Sequence, residues 1–571
     1  MHCNGDSLRP VECVIPREPC ETAHRDHSLS PAGCAGNWVT CRDGVLSWSG
    51  TMASECLFIG SRLTVISRRT ISQILLGRVM SAHGTGSQHR AILRRIAHRM
   101  MLQKGLVPDF PVEAIRELDR IHQPATQVDD SIRDLRDLEW CSIDNDDSRD
   151  LDQLTIAKSL PGQAVQILVA ISDVDAIVKK DSALDQHARE NTTSVYTVTE
   201  VFPMLPEKLS NDLTSLNYNC DRLAVVVDMT FDSDGILRHS DIYRAIVRNR
   251  AKLAYNSVAG WLDGLAPMPD GIGAVANLEA NLRLQDRMAQ KLKAVRHASG
   301  ALDLETIQTR PKFVGETLAD LEIDLRNRAK DLIADFMIAA NGVVARFLAA
   351  HQSPSLRRVV CKPKRWDRIV ELASEWGARL PKEPSATALE EFLVSAREAD
   401  PLRFPDLSLS VIKLLGPGEY VAQLAEGRVS GHFGLAVGNY AHSTAPNRRY
   451  PDVITQRLLK AVLGKTKLPY SDEELQALAT HCTEGEDAAK KVERQVRKSA
   501  AALLLESRIG EVFDAIVTGA APKGTWVRIL HPPIEGKLVN GFEGAQVGHK
   551  LRVQLIRTDV ESGFIDFKHH R

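Results

Sequence analysis

Five aspartates fall within nine residues of the stretch Ser142-Ile143-Asp144-Asn145-Asp146-Asp147-Ser148-Arg149-Asp150-Leu151-Asp152-Gln153-Leu154. Asp150 and Asp152 are two apart, so on an extended chain they point the same way. Asp144 folds back toward them through the polar loop between. Carboxylates brought this close repel one another, and a divalent cation is the natural compensation. Hard oxygen ligands suit Mg²⁺ or Mn²⁺ rather than zinc. An acidic surface turn or a calcium loop is the competing reading. The EF-hand pattern fails, because counting from Asp144 the sixth position is Arg149 and the twelfth is Thr155, where a glycine and a glutamate are required. One or two hard cations in such a cluster activate a water and relieve charge on a phosphodiester, which makes phosphoryl chemistry a candidate.

The 571 residues are long enough for about three or four domains. A chain that is 43% hydrophobic and 25% charged has the balance of a globular protein. It contains no run of eighteen apolar residues, so no membrane span is expected. Lysine and arginine total 72 against 73 acids, a net charge of −1. That excludes a uniformly basic nucleic-acid binder but not a basic channel, because the local field governs phosphate binding. Cys3, Cys13, Cys20, Cys34, Cys41 and Cys56 crowd the start without a C-x-x-C pair, so zinc is weakly supported there. Cys141, Cys220, Cys361 and Cys482 are scattered and read as reduced thiols of a cytoplasmic protein. No secretory signal pattern opens the chain.

Residues 1–80, rich in Cys, Ser, Gly and Pro, predict a disordered or non-native extension, with Met52 or Met80 as alternative starts. Residues 86–125 predict a small basic helical module. Leu93, Ile96, Ala97 and Met100 share one helical face, and Arg90, Arg94, Arg95, Arg99 and Lys104 populate the segment. It is either a nucleic-acid contact or an ordinary solvated helix face. Residues 135–510 predict one large α+β domain, with strands at Val165–Ile171 and Leu223–Val227 and helices at Leu332–Leu348, Ile454–Val462 and 485–511. Residues 511–571 predict five short strands, Val512–Val517, Thr525–Ile529, Lys537–Val539, Lys550–Ile556 and Gly563–Phe567, punctuated by Gly and Pro. That pattern fits an OB-type barrel. Its Lys523, Arg528, Lys537, Lys550, Arg552, Arg557, Lys568 and Arg571 interleave with Phe513, Trp526, Phe542, Phe564 and Phe567, which favours single-strand nucleic-acid binding.

The stretch Ile143-Asp144-x5-Asp150-Leu151-Asp152 resembles the catalytic signature of the ribonuclease II / ribonuclease R (RNB) exoribonucleases. Further blocks follow in that family's order: Thr193-Ser194-Val195-Tyr196, Phe202-Pro203-Met204-Leu205-Pro206-Glu207-Lys208-Leu209-Ser210-Asn211, Ser215-Leu216-Asn217, His432-Phe433-Gly434-Leu435 and Arg448-Arg449-Tyr450-Pro451-Asp452. The resemblance covers roughly residues 135–510 and the terminal barrel. It implies a large RNB-type catalytic domain and processive hydrolysis of single-stranded RNA from the 3′ end to nucleoside 5′-monophosphates with Mg²⁺. It implies that Asp144, Asp150 and Asp152 hold the metal and place the attacking water, with Asp152 the most critical. Arg448 would grip the phosphate, as a guanidinium that pairs bidentately and stays charged. Tyr255 and Phe392 would stack on bases, a sequence-tolerant contact worth about 1–3 kcal/mol each. Arg449 and Glu493 would lie at the RNA site. Neither a membrane nor an obligate protein partner is implied.

Two departures stand out. The family's signature usually ends in two adjacent aspartates, and here the second is Gln153, whose carboxamide oxygen ligates a cation with less charge. A catalytically weak or inactive RNA-binding protein on the same scaffold is therefore the alternative. The other departure is N-terminal. Family members often carry two cold-shock barrels ahead of the catalytic domain, and too few patterned residues precede it here, as in shorter members. The arginine-rich helix would then serve as the RNA clamp.

Overall fold

The structure, a computed structural model, describes residues 89–570 apart from 127–129, 325, 425–430 and 522, together with four short strands between residues 37 and 65. Those strands, β1 (Asn37–Thr40), β2 (Leu46–Ser49), β3 (Cys56–Ile59) and β4 (Arg62–Val65), form a sequential antiparallel sheet within a unit of its own, Met1–Gly84. They occupy part of the stretch read from sequence as an extension. The rest of residues 1–80, with the remaining expectations for it, lies outside the described residues.

The second unit, Thr85–Arg571, opens with α1 (residues 89–103) and α2 (Val112–Asp119). Then come β5 (Arg133–Asp134), β6 (Cys141–Asp144), β7 (Gln153–Ser159), β8 (Val165–Ser172) and α3 (Ala183–Asn191). The short pair β9 (Val195–Tyr196) and β10 (Val201–Phe202) precedes β11 (Asp221–Phe231), β12 (Leu237–Arg248) and β13 (Ala251–Ala254). Next are α4 (Tyr255–Leu262), α5 (Asp270–Gly273), α6 (Leu278–Ala298), the hairpin β14 (Thr309–Val314) and β15 (Thr317–Ile323), and α7 (Arg328–Ala350). After β16 (Ser355–Val359) the chain inserts α8 (Trp366–Glu375), α9 (Ala386–Ala399) and α10 (Phe404–Leu415) before β17 (Glu419–Gln423), α11 (Tyr450–Leu463) and α12 (Asp472–Leu505). The last strands are β18 (Val512–Ala521), β19 (Gly524–Ile529), β20 (Glu535–Asn540), β21 (Lys550–Asp559) and β22 (Phe564–His569).

The α+β reading holds. Seven strands form one mixed sheet in the order β13-β6-β7-β8-β11-β12-β5. Its central strands are apolar on both faces because both faces are covered. In β8, Ile167, Val169 and Ile171 face the large core beneath α6 and α7, while Leu168 and Ala170 face a smaller core around Trp140. That alternation is the two-residue period of a strand. By length and composition α7 suffices to cross a bilayer. Its Leu332, Phe336, Val344 and Leu348 are instead buried in the large core.

β18, β19, β20, β22 and β21 close into a barrel, as the five short apolar runs predict. Phe513 and Phe567 meet edge to face in its interior, ring centroids 6.4 Å apart, so two of the five barrel aromatics are core rather than binding surface. Phe542 and Phe564 remain exposed. Arg528 leaves the basic surface as well. It pairs with Asp406 of α10 at 2.8 Å, both side chains nearly buried, and so docks the barrel on the helical insertion.

The basic helix α1 is packed against the rest of its unit. Leu93, Ile96 and Ala97 are buried as their spacing predicts, and Met101 joins them. Ala97 and Met101 pack with Val492 and Val496 of α12. Arg95 and Arg99 both grip Glu561 of the barrel, and Arg90 lies over the ring of Phe313. Three of the five cations of this segment therefore have partners within the fold.

Arg528→Ala strands the buried Asp406 carboxylate. Losing one partner of such a pair costs about 3 kcal/mol, to be read as a lower urea midpoint. The double replacement Arg528→Met with Asp406→Leu is expected to recover most of it.

Candidate active site

β6 and β7 run antiparallel with Cys141 opposite Thr155. Counting in opposite directions along the two strands brings Asp144 back beside Asp152 and Gln153. On the other side of β6, β13 lies parallel with Ala254 beside Asp144, which delivers Tyr255, the first residue of α4, to the same edge. The acidic loop between is tied down by two cations. Lys252 Nζ donates to the Ser148 carbonyl at 2.7 Å, and Arg310 donates to Asn145 Oδ1.

Asp152 is 1% exposed. Its Oδ1 accepts the Asn447 backbone N–H at 2.9 Å, and its Oδ2 accepts Arg448 Nε at 3.0 Å. Asn447 is itself locked, donating from Nδ2 to Ser172 Oγ at 3.1 Å and accepting at Oδ1 from Thr214 Oγ1 at 2.5 Å. Burial pushes the Asp152 carboxyl up to about 6, with the Arg448 charge working against the rise. The Arg448 side chain keeps 43% of its surface accessible, so its charge can still meet a phosphate.

Gln153 Nε2 donates to Asp144 Oδ1 at 3.2 Å. The other oxygen, Asp144 Oδ2, is buried without a partner. Burial, then the charge of Asp152, push Asp144 up to about 7. Asp150 Oδ2 accepts the Tyr196 hydroxyl at 3.0 Å, and the Tyr196 backbone N–H donates to Glu493 Oε1 at 2.9 Å. Burial raises the Tyr255 phenol, and the nearby Asp144 charge raises it further.

Asp144, Asp150, Asp152, Gln153, Arg448 and Tyr255 are therefore brought together. Of the other residues named from the resemblance, Phe392 lies away from this cluster, while Arg449 and Glu493 lie beside it with protein partners. Phe392 on α9 is 6% exposed and packs with Trp366, Ile369, Leu389 and Phe404 in the core of the helical insertion, with no face left for a base. Arg449 Nη2 donates to the fully buried Asp452 Oδ1 at 2.8 Å, and its side chain keeps 24% of its surface accessible. Glu493 acts on the site through Tyr196. Asn447 and Tyr196 are the contributors that the residue-by-residue reading missed, although Tyr196 stands in the block Thr193–Tyr196 and Asn447 directly precedes the block Arg448–Asp452.

A divalent cation suits this donor set. The orphaned Asp144 Oδ2 lacks a positive partner, and the other donors are hard oxygens of Asp150, Asp152 and the Gln153 amide. Among the described residues no three His, Cys, Asp or Glu side chains converge into a preformed cage. Asp152 is engaged by Asn447 and Arg448, and Asp150 by Tyr196. A cavity of about 560 Å³ lies between α6 and α7, but charges that line it pair with one another, as Arg328 does with Asp286 and Lys293 with Asp331.

This combination of a carboxylate-lined sheet edge with an appended five-stranded barrel defines a known class. Residues 132–465 match the RNB domain, and residues 511–570 match the RNase II-type exonuclease C-terminal S1 domain. The chain belongs to the RNB-domain family. It is 33% identical over 420 residues to ribonuclease R of Escherichia coli K12, covering 71% of this chain and 50% of that protein. It is 28% identical over 497 residues to ribonuclease R 1 of Lactococcus lactis, covering 81% of this chain and 59% of that protein. The chain thus spans little more than half the length of these relatives. Among solved structures, Mycoplasma genitalium RNase R in complex with double-stranded RNA shares the fold at a TM-score of 0.74 and 22% identity, over 83% of this chain and 82% of that one. Yeast Ssd1, a pseudonuclease, shares it at a TM-score of 0.58 and 18% identity, over 73% of this chain and 51% of that one.

Two outcomes follow from the geometry. Asp144 titrates near 3.8 when unfolded and near 7 when folded, so the folded state binds the extra proton between those values. The Asp144 contribution to the stability of the cation-free chain is therefore lost as pH rises from about 4 to about 7, the sign expected for a raised carboxyl. Thermal melts with and without Mg²⁺ should show rescue at pH 7, little rescue at pH 5, and a flatter pH slope for Asp144→Asn. Separately, Phe392→Ala should lower the melting temperature, as a loss of about 3–5 kcal/mol does. The affinity for single-stranded RNA, read on the folded fraction, should be unchanged.

Proposed function

We propose that this chain hydrolyses single-stranded RNA processively from the 3′ end, releasing nucleoside 5′-monophosphates with Mg²⁺ or Mn²⁺ as cofactor. The observation that carries this reading is the juxtaposition of a buried, arginine-paired carboxylate, Asp152, with a second carboxylate, Asp144, whose buried Oδ2 has no partner. Family membership supports the same reading, as do the structures of Mycoplasma genitalium RNase R with double-stranded RNA and with ribose-methylated single-stranded RNA.

The chain's own groups divide the work. Arg448, oriented through Nε by Asp152, receives the scissile phosphate on its accessible side and offsets charge as it develops in the transition state. Asn447 and Arg448 keep Asp152 ionisable in a buried setting by donating to both of its oxygens. Asp144 and Asp150 add acceptors that orient a water for in-line attack. Tyr196, 41% exposed, and Tyr255, half-buried at the same edge, offer ring faces to terminal nucleotides. A cation bound by Asp144, Asp150, Asp152 and the Gln153 oxygen would supply the remaining charge relief and lower the pKa of water. The exposed Phe542 and Phe564 of the barrel offer further stacking surface for the strand.

Gln153, in place of a carboxylate, favours one second reading: an RNA-binding protein with weak or absent hydrolysis. A Mg²⁺-dependent assay on a 5′-labelled single strand separates the two. The nuclease reading expects stepwise shortening from the 3′ end and release of 5′-monophosphates. It also expects Asp152→Asn to cut the rate by more than about a hundredfold, the scale of losing one transition-state electrostatic contact, with RNA affinity nearly kept. Wild-type chain that binds the strand but releases no nucleotide establishes the second reading instead.

A further inference from the structure

Gln153 sits where the charge balance of the site is decided. Asp144, Asp150 and Asp152 face one guanidinium, that of Arg448, which leaves two negative charges when all are ionised. One divalent cation neutralises that excess. Gln153 is 7% exposed and is aimed at Asp144, with Nε2 at 3.2 Å from Oδ1. The orientation of the amide is dictated by this contact, because the flipped form would set a carbonyl oxygen against a carboxylate oxygen. The donor therefore quiets one oxygen of Asp144 and leaves its Oδ2 buried without a partner. An aspartate at the same position would remove the donor and place a carboxylate close to Asp144. It would raise the excess to three charges, more than one divalent ion offsets.

We propose that Gln153 holds this site to one divalent cation, and that an acidic side chain at the position admits a second. The inference rests on the metal-assisted reading above and adds the number of ions and the residue that sets it. The amide acts as a charge-setting group, since its hydrogen bond replaces a positive partner that Asp144 would otherwise need. The hydrolytic step would then depend on Arg448 for the charge relief that a second ion would otherwise give.

The test is a titration of the full-length, metal-stripped chain with Mn²⁺ in the absence of RNA, the free ion being read by electron paramagnetic resonance. Binding that survives in the double variant Asp144→Asn with Asp152→Asn is subtracted as background. The expected result is one site in the wild type, one in Gln153→Asn and two in Gln153→Asp. Gln153→Glu adds the same charge and is read in place of Gln153→Asp if that variant does not show a cooperative thermal transition. Two sites in the wild type, or one in both acidic variants, overturn the inference and leave the metal-assisted reading standing. No site above background in the wild type overturns the metal-assisted reading itself and the inference with it.

Discussion

The site depends on a single buried carboxylate being held between two donors. Asp152 lies immediately before β7, while Asn447 and Arg448 lie almost three hundred residues later, just ahead of α11. An isolated carboxylate in so dry a setting would give up its charge rather than stay buried. The backbone N–H and the guanidinium are each charge-assisted donors, worth about 1.5–3 kcal/mol apiece. Ser172 at the end of β8 and Thr214 in turn fix Asn447, so the pin reaches back into the central sheet. Sheet, loop and arginine are thereby set as one unit.

A second line of support runs through α12. This 34-residue helix carries Glu493, which holds the Tyr196 backbone while the Tyr196 hydroxyl holds Asp150. Farther along, its Ala501, Ala502 and Leu505 belong to the core of the C-terminal barrel. Barrel and carboxylates are thus mounted on one rod. Arg528 with Asp406, and Glu561 with Arg95 and Arg99, pin the barrel from two other directions. A nucleic acid crossing the barrel's exposed aromatics would meet a surface in fixed register with the acidic edge.

Much of this was legible because it is local. β8 and α7 follow from apolar runs whose period and length leave little choice, and the acidic cluster lies within one short stretch. The barrel followed from evenly spaced strands broken by Gly and Pro. What was lost is long-range or backbone-borne. Asn447 acts on Asp152 through its main chain, which no side-chain pattern encodes. Phe392 looks like a stacking residue until Trp366 and Phe404 surround it. Arg95 and Arg99 look like free cations until Glu561, more than four hundred residues away, takes both. The expected start at residue 485 falls more than three helical turns inside α12 (Asp472–Leu505), although Ser471 capping the Glu474 N–H at 3.2 Å, with acids in the first turn, is a signal that sequence carries. Gln153 was visible at once. Its consequence needed the contact with Asp144.

The central claim is that the orphaned oxygen of Asp144 and its neighbours form a seat for a hard divalent cation. Crystals of the full-length chain grown with Mn²⁺, with anomalous scattering recorded on either side of the manganese edge, examine it most directly. The account predicts an anomalous peak within coordination distance of Asp144 Oδ2. A well-ordered acidic edge with no peak, or manganese only at unrelated surface carboxylates, would contradict it.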